Sequence, residues 1–317
     1  MKVFLTGITG FVGRAASKRL VKAGHQVRAA LRDANVTLDD GVESVVFDDL
    51  ATHDWAPSLR GQAVVVHCAA RVHVMSEQSV DPLSEFRKIN VEGTLNLARH
   101  AANVGVTRFI FISSIKVNGE GTEPGRPYTA DDVPEPVDPY GISKWEAEQG
   151  LRDIAATTGM EIVIIRPVLV YGPGVKANFL NMMRWLDKGI PLPFGSIHNS
   201  RSLVALDNLI DLLVTTIDHP GARNQTFLVS DGEDLSTSAL LCRMANALGR
   251  PARLLPIPSA ILSITANLMS KQSLAQRLCG SLQVDISKTC SLLQWAPPVS
   301  VNEALKVVAE HYKESKK

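Results

Sequence analysis

The chain has 317 residues, 45% hydrophobic and 21% charged, with a formal net charge of +1. That length exceeds one compact core of the commonest size, so a large domain with a smaller companion is expected. The balanced charge, without a long run of one sign, gives no sign of a nucleic-acid or polyanion surface.

Cys68, Cys242, Cys279 and Cys290 stand far apart without a CxxC pair, and the histidines show no HExxH spacing. Neither a metal site nor a disulfide framework is expected, and a reducing cytoplasm fits. The start, "MKVFLTGITGFVG", lacks the long apolar core of a signal peptide. The longest apolar stretch near the other end, "SAILSITANLM", is about half a membrane span. No integral membrane segment is therefore expected, with an interfacial helix as the alternative for that stretch.

In chain order, Val3–Leu5 reads as a strand followed by a helix at Phe11–Ala23. Further strands are predicted at Val27–Leu31, Val45–Phe47, Val64–His67, Phe109–Ile112 and Ile162–Ile165. Helices are predicted around Pro82–Asn103 and at Pro139–Thr158. Strands apolar throughout, separated by helices, mean βαβ units and a parallel sheet covered on both faces. Right-handed crossovers make the doubly wound α/β fold the simplest topology for residues 1–170. From 171 to 317, Pro and Gly punctuate shorter elements, as in "YGPGVKANF" and "KGIPLPFGS". This reads as a smaller mixed substrate domain, with part of 201–230 returning to the large sheet.

The first predicted strand runs into "TGITGFVG" and directly into a helix. Glycines there permit a tight turn and let backbone N–H groups approach a pyrophosphate at the helix N-terminus. Gly7, Thr9, Gly10, Phe11, Val12 and Gly13 are thus expected to bind a dinucleotide. The second strand ends Leu31-Arg32-Asp33, without an acidic residue at its tip to grip a ribose 2′-hydroxyl. Arg32 is placed to pair with a 2′-phosphate, which points to NADP(H). A solvated loop arginine, with NAD(H) as cofactor, is the alternative. Asp49 and Leu50 of "FDDL" are candidates to meet the adenine. Cys68, Ala69 and Ala70 in "HCAARV" allow a close pass by the cofactor, or simply tight helix–sheet packing.

"RFIFISSIKVNGE" ends a buried-looking strand in two hydroxyls. In an open parallel sheet that carboxyl tip is where ligands sit. In "PVDPYGISKWEAE", Pro139 can open a helix that places Tyr140 and Lys144 four residues apart on one face. An ammonium beside a phenol favours the phenolate and would make Tyr140 an acid–base group near neutral pH. Ser114 is then the hydroxyl expected to hold the reacting oxygen.

Together "TGITGFVG", "SSIKVNG", "YGISK", "RPVLVYGPG" and "RSLVALDNL" resemble the extended short-chain dehydrogenase/reductase family, in the branch acting on nucleotide sugars. The resemblance spans nearly the whole chain. It implies a Rossmann domain, a C-terminal sugar-nucleotide domain and a homodimer through two helices per subunit. By matching position it makes Ser114, Tyr140 and Lys144 the catalytic set, with Lys144 also on the nicotinamide ribose. It adds Asn90 of "INVEGT" and Pro167 to the cofactor side. Lys116, Asn178 of "KANF", Arg201 of "NSRSLV" and Arg277 fall on the substrate side, although the spacing from Arg277 to "VDISK" departs from the better-known epimerases.

Sugar 4,6-dehydratases of this kind carry an acidic pair where this chain has Ile115 and Lys116, which argues against dehydration. The stretches "SSIKVNGE" and "GSLQVDISK" resemble bacterial polysaccharide enzymes that reduce a UDP-2-acetamido-2,6-dideoxy-4-ketohexose to UDP-N-acetylquinovosamine or its fucosamine epimer. The resemblance, with Arg32, implies that 4-ketoreductase. Asn118, where many epimerases have Tyr, points the same way. The alternative is a 4-epimerase of a UDP-hexose or N-acetylhexosamine with retained NAD. A catalytically silent sensor would be expected to have lost Tyr140 or Lys144, and both are present.

Overall fold

The computed structural model describes residues 1–72, 81–123, 125–262, 276 and 278–316. Its strands are β1 (Lys2–Thr6), β2 (Gln26–Leu31), β3 (Val42–Val46), β4 (Val64–His67), β5 (Arg108–Ile112), β6 (Glu161–Pro167), β7 (Leu169–Tyr171), β8 (Arg201–Ala205), β9 (Thr226–Val229) and β10 (Asp234–Leu235). The helices are α1 (Phe11–Lys22), α2 (Ala56–Leu59), α3 (Pro82–Arg87), α4 (Thr94–Asn103), α5 (Pro139–Thr158), α6 (Ala177–Asp187), α7 (Leu206–Thr215), α8 (Thr237–Leu248), α9 (Ser287–Leu293) and α10 (Val301–Glu314). Among the described residues no helix is long and apolar enough to cross a membrane.

Seven strands form one parallel sheet in the order β3-β2-β1-β4-β5-β6-β9. Its central strands β1, β4, β5 and β6 are buried at consecutive positions because both faces are covered, whereas the edge strand β3 is exposed or half-exposed along its length. Val3, Leu5, Val64, Val66, Ile110 and Ile112 bury into one core, shared with residues of α1 and α7. The alternate residues Phe4, Val65, Phe109 and Phe111 bury into a second, shared with α4 and α5. This is the doubly wound Rossmann arrangement read from the sequence. The strand order reverses between β1 and β4, and both strands end there at their carboxyl tips.

From Leu169 onward the chain builds a smaller mixed sheet, β10-β8-β7, in which β8 runs parallel to β7 and antiparallel to β10. A separate core gathers residues of α6, α8 and α10 around this unit. Between these parts the chain crosses back: α7 packs on α1, and β9 extends the large sheet beside β6.

One predicted element is broken. The helix expected around Pro82–Asn103 is two α-helices joined by a π-helical turn, Lys88–Gly93. The cause is local. Asn90 turns inward, accepting from Arg71 N at 2.8 Å and donating to Arg71 O at 3.0 Å, and an extra residue in the turn aims it there. Gly93 lies so close to Leu50 that a Cβ would come within 2.7 Å of its side chain.

Candidate active site

The switch point is built first by glycine. Gly7 adopts φ +75°, and a Cβ on it would lie 2.6 Å from Ala69 N across the gap to β4. A Cβ on Gly13 would lie 2.1 Å from Gly7 O, so α1 starts flush against the turn. Gly10 N donates back to Gly7 O at 2.9 Å. No side chain caps α1, and its first turn holds no acidic residue. The first N–H groups of α1 therefore remain for an acceptor from outside, with the helix dipole behind them. Thr9 is exposed there, and Phe11 and Val12 are half-buried at the same mouth. This cradle fits a dinucleotide pyrophosphate.

Around it the neighbouring strand ends supply the remaining groups. Arg32 is exposed at the tip of β2, whereas the Asp33 carboxylate is tied to Asn35 N and Nδ2, each at 2.9 Å. Asp49 accepts from Ala51 N at 2.7 Å and faces Lys88 at 3.4 Å. The backbone hydrogen bond from Ala51 comes first among the causes that hold its carboxyl below the usual range. Leu50 is buried beneath Gly93. Ala69 and Ala70 are half-buried, and Ala69 N donates to Thr6 Oγ1 at 3.3 Å. Burial pushes the Cys68 thiol up to about 12. Pro167 closes β6, buried on the far side of β5.

The two serines at the tip of β5 take different roles. Ser113 is buried and donates to Glu148 Oε1 at 2.6 Å. Ser114, half-buried, caps a short 3-10 turn, Ile115–Val117, accepting from Lys116 N at 3.3 Å. Asp138 caps α5 through Gly141 N at 2.7 Å, so Tyr140 and Lys144 fall on its first turns. Tyr140 meets Phe86 of α3 edge-on at 6.0 Å. Its backbone carbonyl accepts from Ser143 Oγ at 2.8 Å, and Ser143 in turn accepts from Asn90 Nδ2 at 3.0 Å. Asn90 thus joins the π turn to α5. Lys144 is 2% exposed, donates to Ile112 O at 2.8 Å and lies 4.3 Å over the Phe111 ring.

Burial acts against easy ionisation of Tyr140 in the protein alone. Its phenol is pushed up to about 12, first by burial and then by Asp138, while the hydrogen bond with Ser114 acts the other way. Lys144 is lowered to about 7 by burial, against the pull of Cys68 and Glu148. The ammonium expected to stabilise a phenolate points instead at a backbone carbonyl. In the protein alone, desolvation outweighs that attraction.

Below the site lies a charged cluster that sequence reading did not single out. Arg166 Nε and Nη2 donate to the two Glu148 oxygens at 2.9 and 2.6 Å, and Nη1 donates to Asn118 Oδ1 at 3.0 Å. Glu148 is 0% and Arg166 2% exposed. Asn118 completes the cluster through Thr129 O at 3.0 Å. The available signal was spacing, since Glu148 stands one turn beyond Lys144 on the same helix face.

On the expected substrate side, Lys116 is held by Glu120 at 2.8 Å and by Asp138. Asn178 is half-buried in the first turn of α6, after Ala177 at φ +53°. Arg201 opens β8 and donates to Gly280 O at 3.0 Å. Arg277 lies outside the described residues, as does most of "SAILSITANLM".

A Rossmann sheet with a glycine turn at its switch point and a Ser, Tyr and Lys set beside it defines an extended short-chain dehydrogenase/reductase. The profile of the NAD dependent epimerase/dehydratase family matches residues 3–230, and the chain belongs to that family. It is 51% identical to a UDP-glucose 4-epimerase of Vibrio cholerae over 312 residues, 98% of this chain and 95% of the relative. Among solved structures it resembles a UDP-glucose 4-epimerase from Thermotoga maritima with UDP-glucose, TM-score 0.79, 22% identity, all of both chains covered. It equally resembles a UDP-glucuronic acid 4-epimerase from Bacillus cereus in complex with NAD, TM-score 0.79, 21% identity, again over all of both chains.

Proposed function

We propose that this chain is a 4-epimerase of a UDP-hexose or UDP-N-acetylhexosamine working with NAD. The observation that carries the reading is the 51% identity, along nearly the full length of both chains, to a UDP-glucose 4-epimerase. It displaces the 4-ketoreductase expected from "SSIKVNGE" and Arg32. Asn118, read as a mark of a reductase, has a structural occupation: it is buried as a partner of Arg166.

When bound, NAD would supply the hydride acceptor and donor for C4 of the sugar. Tyr140 carries the O4 proton away and gives it back. Ser114, whose hydroxyl eases ionisation of the Tyr140 phenol, holds the same oxygen. Lys144, wedged between Ile112 O and the Phe111 ring, fixes the floor under both. The uncapped start of α1 and the Gly7–Gly13 turn hold the pyrophosphate. The test is the state of the cofactor in freshly purified protein, read by absorbance, fluorescence and mass spectrometry, together with turnover of UDP-glucose. Retained NAD and interconversion of UDP-glucose and UDP-galactose without added cofactor are expected. An empty protein that oxidises added NADPH with a 4-keto UDP-sugar would return the reading to a reductase and give Arg32 a 2′-phosphate to bind.

A further inference from the structure

The 3-10 turn that carries Ser114 and the helix start that carries Tyr140 are tied together by one side chain. The Lys116 ammonium donates to Glu120 Oε1 at 2.8 Å and to the Asp138 carboxylate, with 22% of the side chain exposed. The other Asp138 oxygen accepts from Gly141 N at 2.7 Å and so caps the helix at the residue after Tyr140. The backbones meet as closely, since a Cβ on Gly141 would lie 2.8 Å from Lys116 O.

We propose that Lys116 is a positioning residue for Tyr140: it neutralises and anchors the Asp138 cap, and so sets both where the phenol stands and how readily it ionises. This rests on the reading of Tyr140 as the proton carrier. The charged group that acts on the Tyr140 phenol is Asp138 on its own segment, and Asp138 is joined through Lys116 to Glu120 of the turn after β5. Arg71 lies over the Phe86 ring that meets Tyr140. Asp138 makes the phenol harder to ionise. Two carboxylates bound to one ammonium lose that shared counter-charge if the ammonium is removed, and a like charge close by disfavours a second anion. Held in this way, Lys116 acts through Asp138 and needs no contact with substrate.

The experiment compares wild type, Lys116→Met, Lys116→Arg, Asp138→Asn and the Lys116→Met, Asp138→Asn double variant, all loaded with NAD. Two quantities are read: the kcat–pH profile with UDP-glucose, and the tyrosinate difference titration referred to Tyr140→Phe. In Lys116→Met both midpoints should move to higher pH by roughly one pH unit, with KM little changed. Lys116→Arg and the double variant should restore them. If Lys116→Met does not fold, Asp138→Asn carries the test, because its amide oxygen still caps Gly141 N while the charge is gone. Its midpoints should move to lower pH.

A raised KM with unmoved midpoints would make Lys116 a substrate ligand and overturn the proposal. A lowered Tm with unmoved midpoints would overturn it equally, leaving a structural tie alone. A shifted titration in a protein that turns over no UDP-sugar supports the proposal and places the failure in the catalytic reading. Turnover with an unshifted titration places the failure here.

Discussion

At the scale of single residues, Tyr140 and Lys144 show how far burial can override a neighbouring charge. The phenol stands at about 12 and the ammonium at about 7, both displaced first by desolvation. Each is pushed towards its neutral form by burial. Tyr140→Phe removes the hydroxyl and keeps the ring against Phe86. It should lower turnover by roughly 10²–10⁴-fold, the usual share of a general acid–base group. NAD affinity by titration should stay close to wild type. A variant with normal turnover would remove Tyr140 from the chemistry.

At the scale of elements, the glycine turn and α1 form one unit whose tightness is measurable. Gly13 sits in a helix against backbone, not against a flexible side chain, since its missing Cβ would overlap Gly7 O. Gly13→Ala must therefore push α1 away from the turn. It should cost at least about 1–3 kcal/mol, as overpacking does, and weaken cofactor binding beyond what the stability loss explains. Chemical denaturation with and without NAD separates the two effects. The π turn at Lys88–Gly93 is the complementary case, where one residue too many brings Asn90 to Arg71 and Ser143. Residue type in "INVEGT" pointed to Asn90, but the apolar pattern alone read as uninterrupted helix. Hydrophobic periodicity over so short a run does not separate 3.6 residues per turn from a single wider turn.

At the scale of the whole molecule, buried polar links hold the layers in register. His67, at the end of β4, is fully buried between Thr6 Oγ1 of β1 at 2.6 Å and Thr94 Oγ1 of α4 at 2.9 Å. Burial, with Lys144 adding to it, lowers His67 to about 3. Between about 6.5 and about 3 the unfolded chain binds a proton that the folded chain refuses, so stability falls as pH falls through that window. His67→Leu should be less stable than wild type near pH 7 but lose less on going to about pH 5. Denaturant midpoints at the two pH values check this, and equal losses would mean that His67 is protonated in the fold. The Glu148–Arg166 pair works at the same scale, joining α5 to β6 under the site through charges that must stay matched.

The sequence by itself determined the doubly wound sheet, and it marked the glycine turn and Ser114, Tyr140 and Lys144 as the candidate site. These rest on signals local in the chain: apolar runs, turn glycines and a four-residue helical spacing. The proton affinities in the site, the partners of Lys116 and the buried roles of Asn118 and Glu148 were decided only by tertiary structure. Each depends on groups far apart in sequence that share one desolvated space, as Asp138 with Lys116 or Arg166 with Asn118. Pattern fixes which face a side chain takes, whereas energy in a low dielectric depends on what else the fold brings to that face.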